Sequence, residues 1–304
     1  MPDPDRLTIS ATEAPALFGV SPYVTPFMLY HRFANGESID VEENARMDWG
    51  KKLQPLLLQA TAEEMRFEVV PNDKDIYVRR GQLGCTRDAE IICPDRGPGA
   101  LECKCLFDYG KWMQEMDGGR TLARHHEIQT QVQMMVGDGE KPYVWGMIAV
   151  WVMGVMYYFE RKPIPELWGL LEKEAAEFFQ RVKERREPDP FGVPIENDLI
   201  QKLFVPDPDK VLDLRDDKDA KEYVTLARLY SKASGEESAA KKTKSTARAK
   251  LTALAKDHGQ VWLPAGITVE LKRQKRKAFE VEETSFTTLK VKVPEFGEAW
   301  EKKA

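Results

Sequence analysis

The feature that most constrains the fold is a pair of predicted strands, residues 83–91 and 100–105. The connecting segment 94–99 holds Pro and Gly residues, which are typical of a turn between two strands. Asp88 lies in the first strand, and the second carries a Glu-x-Lys motif at 102–104. The pattern predicts a two-stranded unit with acidic residues on both strands.

Side-chain alternation decides which residues of this unit act together. Residues two apart in a strand point to the same face, so Glu102 and Lys104 project together while Cys103 and Cys105 point away. If Asp88 lies beside them on the neighbouring strand, two carboxylates and one ammonium converge on one spot.

Such a trio suits phosphodiester hydrolysis. Two carboxylates are good ligands for Mg²⁺ or Mn²⁺, which prefer hard oxygen donors. A bound metal ion lowers the pKa of its water and neutralises charge on a phosphoryl oxygen, and a lysine can orient or deprotonate that water. The spacing alone also arises by chance in a charged chain, so the neighbouring motifs must decide.

Four further motifs accompany the trio. They are Ile-Ser-Ala-Thr-Glu-Ala at 9–14, Leu-Phe-Gly-Val-Ser-Pro-Tyr at 17–23, Trp-Gly-Lys-Lys-Leu-Gln at 49–54 and Gln-Thr-Gln at 129–131. With the two strands they resemble, in the same order, the motifs of the YqaJ family of phage recombination exonucleases (lambda-exonuclease-like). That family belongs to the PD-(D/E)XK nuclease superfamily, and the resemblance covers residues 6–185.

The resemblance implies an α/β fold with a restriction-endonuclease-like core, a mixed sheet flanked by helices. It implies a metal-dependent exonuclease that digests one strand of linear double-stranded DNA in the 5′→3′ direction, which leaves single strands for recombination by annealing. Asp88 and Glu102, with the backbone carbonyl of Cys103, would hold two Mg²⁺ or Mn²⁺ ions. Lys104 would position the attacking water, and Gln129 would assist it.

One position departs from the family pattern. Gln54 stands where the family has an acidic residue near the metals. Its amide oxygen can ligate a metal ion but adds no negative charge for a second one. The candidate DNA-contacting residues, taken mainly from the resemblance, are Arg6 (near the family's 5′-phosphate-binding arginine), Ser10 and Thr12 (at a helix start), Thr86, Arg120, Arg124 and Gln131.

Composition limits the remaining classes of protein. The 304 residues are 42% hydrophobic and 31% charged, as in a globular protein with a core. The first residues lack the basic and apolar regions of a signal peptide, and the apolar run at 144–159 is too short to span a bilayer. We therefore expect a cytoplasmic protein, in a bacterial host cell if it is encoded by a phage or prophage as the resemblance implies.

The cysteines and histidines give little support to other metal sites. None of the four cysteines forms a Cys-x₂-Cys pair, which disfavours zinc and iron–sulfur sites. We interpret Cys103 and Cys105 as a pair of small buried residues. His125 and His126 are adjacent, and adjacent residues do not share a helix face.

The chain divides into a nuclease core at 1–186, a Pro-rich linker at 187–213 and an accessory module at 214–304. In the module, 217–233 and 237–256 predict a helical hairpin broken at Ser-Gly, followed by strands at 261–263, 267–272 and 278–282. Residues 239–278 hold eleven Lys or Arg residues and two acidic ones. Such a run is usually a solvated face, and it also suits a DNA clamp, an oligomer contact or a docking site for a partner.

Two alternatives to the exonuclease remain open at this point: a PD-(D/E)XK endonuclease, and a DNA-binding scaffold whose site is weakened by Gln54. The expected partners are double-stranded DNA ends and a single-strand annealing protein. The resemblance also implies a homo-oligomer, a ring-shaped trimer.

Overall fold

The chain forms two compact units, Met1–Leu203 and Phe204–Ala304. The computed structural model describes residues 8–39, 43–72, 76–207, 209–215, 217, 220–263 and 267–271. Arg6 and the strand predicted at 278–282 lie outside these described residues.

The first unit alternates strands and helices. Its strands are β1 (Ile9–Ser10), β2 (Glu68–Pro71), β3 (Val78–Arg80), β4 (Leu83–Cys85), β5 (Ala89–Cys93), β6 (Gly97–Leu106), β7 (Gly146–Val152) and β8 (Val155–Arg161). Its helices are α1 (Ala14–Leu17), α2 (Pro26–Asn35), α3 (Ala45–Met65), α4 (Tyr109–Met116), α5 (Arg124–Val136), α6 (Pro165–Lys183) and α7 (Asn197–Leu203).

A five-stranded mixed sheet is the centre of this unit. Its strand order is β2-β5-β6-β7-β8, with β6 and β7 parallel and the other neighbours antiparallel. Strand β7 is a continuous apolar run, Gly-Met-Ile-Ala-Val-Trp-Val, and is almost wholly buried. A sheet covered by helices on both faces needs such a run. The predicted mixed sheet flanked by helices is confirmed.

Each face of the sheet has its own apolar cluster. On one face, Leu58 of α3 packs against Leu101 and Met147. On the other, Trp112 of α4 packs with Val150 and its neighbours on β7. Because alternate residues of β6 face opposite clusters, the even-numbered positions, which include the Glu-x-Lys pair, lie on the face away from α3.

The predicted strand at 83–91 is divided in the structure. Its first part, β4, belongs to a separate three-stranded sheet of order β1-β4-β3, while β5 enters the central sheet. The residues between them bend and place Asp88 immediately before β5. Period-2 alternation runs through both strands and therefore does not reveal the change of sheet.

The Pro-rich linker predicted at 187–213 is shorter in the structure. Leu199 of α7 packs with Phe27 and Met28 of α2, and the fully buried Glu196 accepts a hydrogen bond from the Thr25 hydroxyl at 2.5 Å. These contacts place the segment up to Leu203 in the first unit, so the division between the units falls inside the predicted linker.

The second unit contains one long helix where a hairpin was predicted. Helix α8 (Ala220–Ala255) runs for 36 residues without a break, so the prediction of a helical hairpin is wrong. A glycine inside a helix costs only about 1 kcal/mol relative to alanine, and the Ala, Leu, Lys and Glu residues around Gly235 are strong helix formers. Strands β9 (Gln260–Trp262) and β10 (Thr268–Glu270) pair antiparallel after it.

Within the described part of the chain, no helix has both the length and the apolar character that crossing a membrane requires.

Candidate active site

The register between β5 and β6 brings the two predicted carboxylates together. Ala89 pairs with Leu101 in this antiparallel ladder, so the next position pairs Asp88 with Glu102. Residues opposite each other in an antiparallel pair place their side chains on the same face. Asp88 also accepts a hydrogen bond from the backbone N–H of Cys103 through Oδ2, at 2.7 Å, which fixes its carboxylate beside the second strand.

Glu102 is the most enclosed member of the predicted trio. Only 5% of the residue is exposed. Its Oε1 accepts hydrogen bonds from Lys104 Nζ at 2.5 Å and from Gln129 Nε2 at 2.6 Å. The structure therefore brings the predicted residues Asp88, Glu102, Lys104 and Gln129 into one cluster.

Lys104 carries its charge in this cluster. Burial disfavours the ammonium form, but the neighbouring carboxylates of Glu102 and Asp88 outweigh burial and raise the pKa of Lys104 above its ordinary value. A protonated lysine donates hydrogen bonds and stabilises negative charge. Lys104 thus serves as a cation, and a role as a base would require the loss of this proton.

Helix α5 supplies a second glutamine, for which no role was predicted from the sequence. Gln133 is fully buried, and its Nε2 donates to Glu102 Oε2 at 2.6 Å. Gln129 and Gln133 are four residues apart, a spacing that places both on one helix face. That spacing is the signal from which Gln133 could have been found once Gln129 was assigned to the site.

Gln131 was predicted to contact DNA, and the structure corrects this. The residue is fully buried, on a different face of α5. Its side chain donates to the Lys162 carbonyl at 2.8 Å and accepts from Ile164 N–H at 3.0 Å and Trp168 Nε1 at 2.9 Å. These hydrogen bonds occupy the amide and join α5 to the chain that follows β8. Gln131 is therefore not accessible to a nucleic acid.

A cavity of about 1100 Å³ opens in front of the cluster. Asp88, Glu102, Lys104 and Gln129 all line it, and Gln54 of α3 lines it as well. Gln54, which stands where the family pattern has an acidic residue, therefore lines the same cavity as the two carboxylates. Additional lining residues with positive charge are Arg32, Arg46, Lys51 and Arg79.

Two residues predicted at a helix start also line this cavity, Ser10 and Thr12. Thr12 is exposed. The Ser10 hydroxyl and backbone N–H both donate to Glu13 Oε2, at 2.7 and 3.0 Å, so the carboxylate of Glu13 takes the donors that an anion would need. The helix that follows, α1, has only four residues. The structure therefore does not support a phosphate site on Ser10.

The remaining predicted DNA contacts are on the surface. Thr86, Arg120 and Arg124 are exposed, and Arg120 lies 3.7 Å from Asp117. They are accessible to a ligand, and no contact among the described residues joins them to the carboxylate cluster.

Two histidines border the same cavity in the neutral form. Burial, followed by the charge of Lys104, lowers the pKa of His125 to about 4 and that of His126 to about 2. His126 is 7% exposed, and its Nδ1 has no hydrogen-bond partner among the described residues. Cys103 and Cys105, predicted as small buried residues, are only partly buried, whereas Cys85 and Cys93 are buried. Burial raises the pKa of the Cys85 thiol to about 11.

The donor set fits a hard divalent cation. Asp88, Glu102 and Gln54 line one cavity, and their side chains carry oxygen ligands. Mg²⁺ is bound in proteins through one or two carboxylates with waters and substrate phosphates in its remaining positions. No three His, Cys, Asp or Glu side chains in the described ranges form a metal-binding group. A group of three such side chains is typical of a site built from protein ligands alone, and Mg²⁺ does not require one.

Comparison with known proteins agrees with this arrangement. Residues 5–140 match the family described as the YqaJ-like viral recombinase domain. This part of the chain is similar to the YqaJ-like family. The matched segment contains every residue of the carboxylate cluster and both of its glutamines.

Several solved structures are similar to this chain. LHK-Exo in complex with dAMP has 16% identity and a TM-score of 0.46, with 66% of this chain and 95% of that chain covered. The alkaline exonuclease LHK-Exo from Laribacter hongkongensis has 18% identity and a TM-score of 0.45, with 66% and 97% covered. A phage related exonuclease from Haemophilus somnus 129PT has 11% identity and a TM-score of 0.44, with 59% and 94% covered. No curated protein matches the chain.

Proposed function

We propose that this protein is a metal-dependent deoxyribonuclease that digests linear double-stranded DNA from its ends, in the 5′→3′ direction. The observation that carries the proposal is the convergence of Asp88, Glu102, Lys104 and Gln129 on one open cavity. The polarity and the recombination role follow the family resemblance.

Asp88 and Glu102, with the backbone carbonyl of Cys103, would hold Mg²⁺ or Mn²⁺. When bound, the metal would supply Lewis-acid chemistry, by acidifying a water and neutralising phosphoryl charge. A second ion would meet the neutral amide of Gln54 in place of a carboxylate, so we expect it to bind more weakly than the first.

Lys104 would act on the scissile phosphate and the attacking water as a fixed cation. Its ammonium is held by Glu102 Oε1 at 2.5 Å, and 24% of its side chain is exposed. It can therefore direct an N–H donor toward the cavity while it keeps the ion pair with Glu102. Positive charge placed where negative charge develops lowers the barrier in the transition state.

Gln129 would keep that ion pair in place. Its Nε2 donates to the same Glu102 oxygen that Lys104 contacts, at 2.6 Å, and it is 6% exposed on helix α5. A residue held by helix packing loses little freedom when substrate binds. Gln129 would thus hold the carboxylate in the orientation in which Lys104 contacts it.

DNA would be attracted by cations around the cavity and on the second unit. Arg46, Lys51 and Arg79 line the cavity and are exposed. We propose that the digested duplex yields single strands for an annealing protein and that the enzyme works as a homo-oligomer, as in the family resemblance.

Digestion of three forms of one plasmid tests the proposal. Linear, nicked and covalently closed DNA would be incubated with Mg²⁺ and with EDTA, and the linear form would carry a label at either the 5′ or the 3′ end. We expect Mg²⁺-dependent loss of linear DNA with early release of the 5′ label, and intact closed circles. Opening of closed circles would identify an endonuclease, and no cleavage of any form would identify the weakened scaffold that Gln54 suggests.

A further inference from the structure

Gln133 contacts Glu102 from the buried side of the site. It lies one helical turn after Gln129 on α5 and has no exposed surface. The two amides divide the carboxylate between them: Gln129 Nε2 donates to Oε1 and Gln133 Nε2 donates to Oε2, both at 2.6 Å. The orientation of Glu102 is therefore fixed at both oxygens.

The two oxygens of Glu102 differ in how many donors they receive. A carboxylate oxygen has about two lone-pair sites. Oε1 already accepts from Lys104 and from Gln129, whereas Oε2 accepts from Gln133. Among the described residues, Oε2 is thus the oxygen of Glu102 that keeps acceptor capacity.

We propose that Gln133 is a positioning residue that aims Oε2 of Glu102 at the divalent metal ion. The proposal rests on the metal-dependent function proposed above. It assigns the bound ion to Oε2 and leaves Oε1 to the lysine and Gln129. Gln133 touches neither metal nor DNA and would act only through the carboxylate.

The polar contacts of Gln133 differ from those of a glutamine with a purely structural role. Gln131 has the same burial and bonds through both ends of its amide to groups outside the site. Gln133 donates to Glu102, and its own Oε1 has no partner among the described residues. Leaving a buried carbonyl unpaired costs free energy, so its amide is placed for Glu102 at some cost to stability.

Metal binding without DNA tests the role of Gln133. Mn²⁺ would be titrated into the full-length protein by calorimetry, with Gln133→Met as the test variant and Gln131→Met as the control. Methionine keeps most of the volume and removes the amide. Loss of a hydrogen-bond partner behind a metal ligand costs about 10–100-fold in metal affinity. We expect a loss of that size for Gln133→Met and affinity close to wild type for Gln131→Met, even if the control is less stable.

The outcomes separate this inference from the proposed function. Wild-type Mn²⁺ affinity in Gln133→Met, or an equal loss in both variants, would overturn the positioning role while leaving metal dependence intact. A wild-type protein that binds no Mn²⁺ would overturn the metal-dependent function and this inference with it.

A second measurement needs no variant. The side-chain amide groups of Gln131 and Gln133 give separate signals in ¹⁵N-correlated NMR spectra of the wild-type protein. On addition of Mg²⁺, the Gln133 signal should shift because its acceptor oxygen gains a metal ion, while the Gln131 signal should stay in place. A Gln133 signal unmoved at saturating Mg²⁺ would overturn the assignment of the ion to Oε2.

Discussion

Helices α5 and α8 are both rich in polar residues and use them in opposite ways. Ten of the thirteen residues of α5 are buried, including Gln129, Gln131 and Gln133. In α8, 36 residues long, Ala255 is the buried residue. The three glutamines of α5 have partners that distant parts of the chain supply, whereas the polar side chains of α8 face solvent.

The charges on α8 are also unevenly distributed. Its first half, up to residue 237, balances three basic residues against three acidic ones. Its second half has basic residues and no acidic residue, and Lys242, Lys244 and Arg248 have no ion-pair partner among the described residues. The glutamines of α5 thus have individual partners, whereas α8 presents an excess of positive charge in its second half alone.

The largest effect should come from a change in the carboxylate cluster that α5 contacts. Asp88→Asn keeps the shape of the side chain and removes one negative ligand. We expect cleavage at low millimolar Mg²⁺ to fall by about 10²–10³, since one electrostatic stabiliser is worth about that much in rate, and the Mg²⁺ midpoint to rise. Asp48→Asn, an exposed carboxylate on α3 paired with Lys52, is the control. An unchanged Mg²⁺ midpoint in Asp88→Asn would exclude Asp88 as a ligand.

Charge reversal on α8 should have a smaller effect that depends on salt. The triple variant Lys242→Glu, Lys244→Glu, Arg248→Glu changes the second half of the helix. If these cations bind DNA phosphates, the slope of log K against log salt should decrease by about one for each phosphate that the variant no longer neutralises. Fluorescence anisotropy on a long duplex in EDTA measures this without cleavage.

The first half of α8 offers a matched control. Lys221→Glu, Arg228→Glu, Lys232→Glu makes the same change in net charge on the same helix. We expect its salt slope to decrease less than that of the second-half variant. Equal slopes for the two variants would mean that α8 acts through net charge alone, and the wild-type slope in both would mean that it does not touch DNA.

Acidification should lower the stability of the folded protein because α5 carries a buried, neutral histidine. His126 has its pKa lowered from 6.5 to about 2 in the folded protein, so below pH 6.5 the unfolded state binds a proton that the folded state does not. Stability is therefore complete above pH 6.5 and falls as pH decreases, by up to about 1.4 kcal/mol per pH unit for this one group.

Urea unfolding between pH 7 and pH 4.5 measures this fall. In His126→Gln the loss of stability on acidification should be smaller than in the wild type. His258→Gln, which removes a histidine whose side chain is 73% exposed after α8, should leave the pH dependence unchanged. The same loss in His126→Gln as in the wild type would show that His126 is not buried in the neutral form.

The core of the site could be predicted because it depends on local geometry. Strand alternation alone places Glu102 and Lys104 on one face, and a turn brings Asp88 beside them. The structure brings all three together in one cavity. What alternation does not reveal is the change of sheet between β4 and β5, because both strands share the same period.

The buried glutamines were harder to predict because their partners are distant in sequence. Gln131 is hydrogen-bonded to Ile164 and Trp168, and Gln133 is hydrogen-bonded to Glu102. A glutamine on a helix is usually exposed, so its own position does not reveal a buried partner. For Gln133, the spacing of four residues from Gln129 was the available signal. The unbroken helix α8 was missed for a different reason: Ser234 and Gly235 are typical of a turn, but the strong helix formers on both sides outweigh them.

The single-turnover cleavage rate of Lys104→Ala tests whether Asp88, Glu102 and Lys104 form the active site. The wild-type and variant proteins would be compared on one 5′-labelled duplex with saturating Mg²⁺, and DNA affinity would be measured separately in EDTA. Lys104 is held against Glu102 in the cavity, where its charge acts on the transition state. The account predicts a loss of about 10²–10³ in rate with nearly unchanged DNA affinity. Cleavage by the folded variant at the wild-type rate would contradict the assignment of Asp88, Glu102 and Lys104 as the active site.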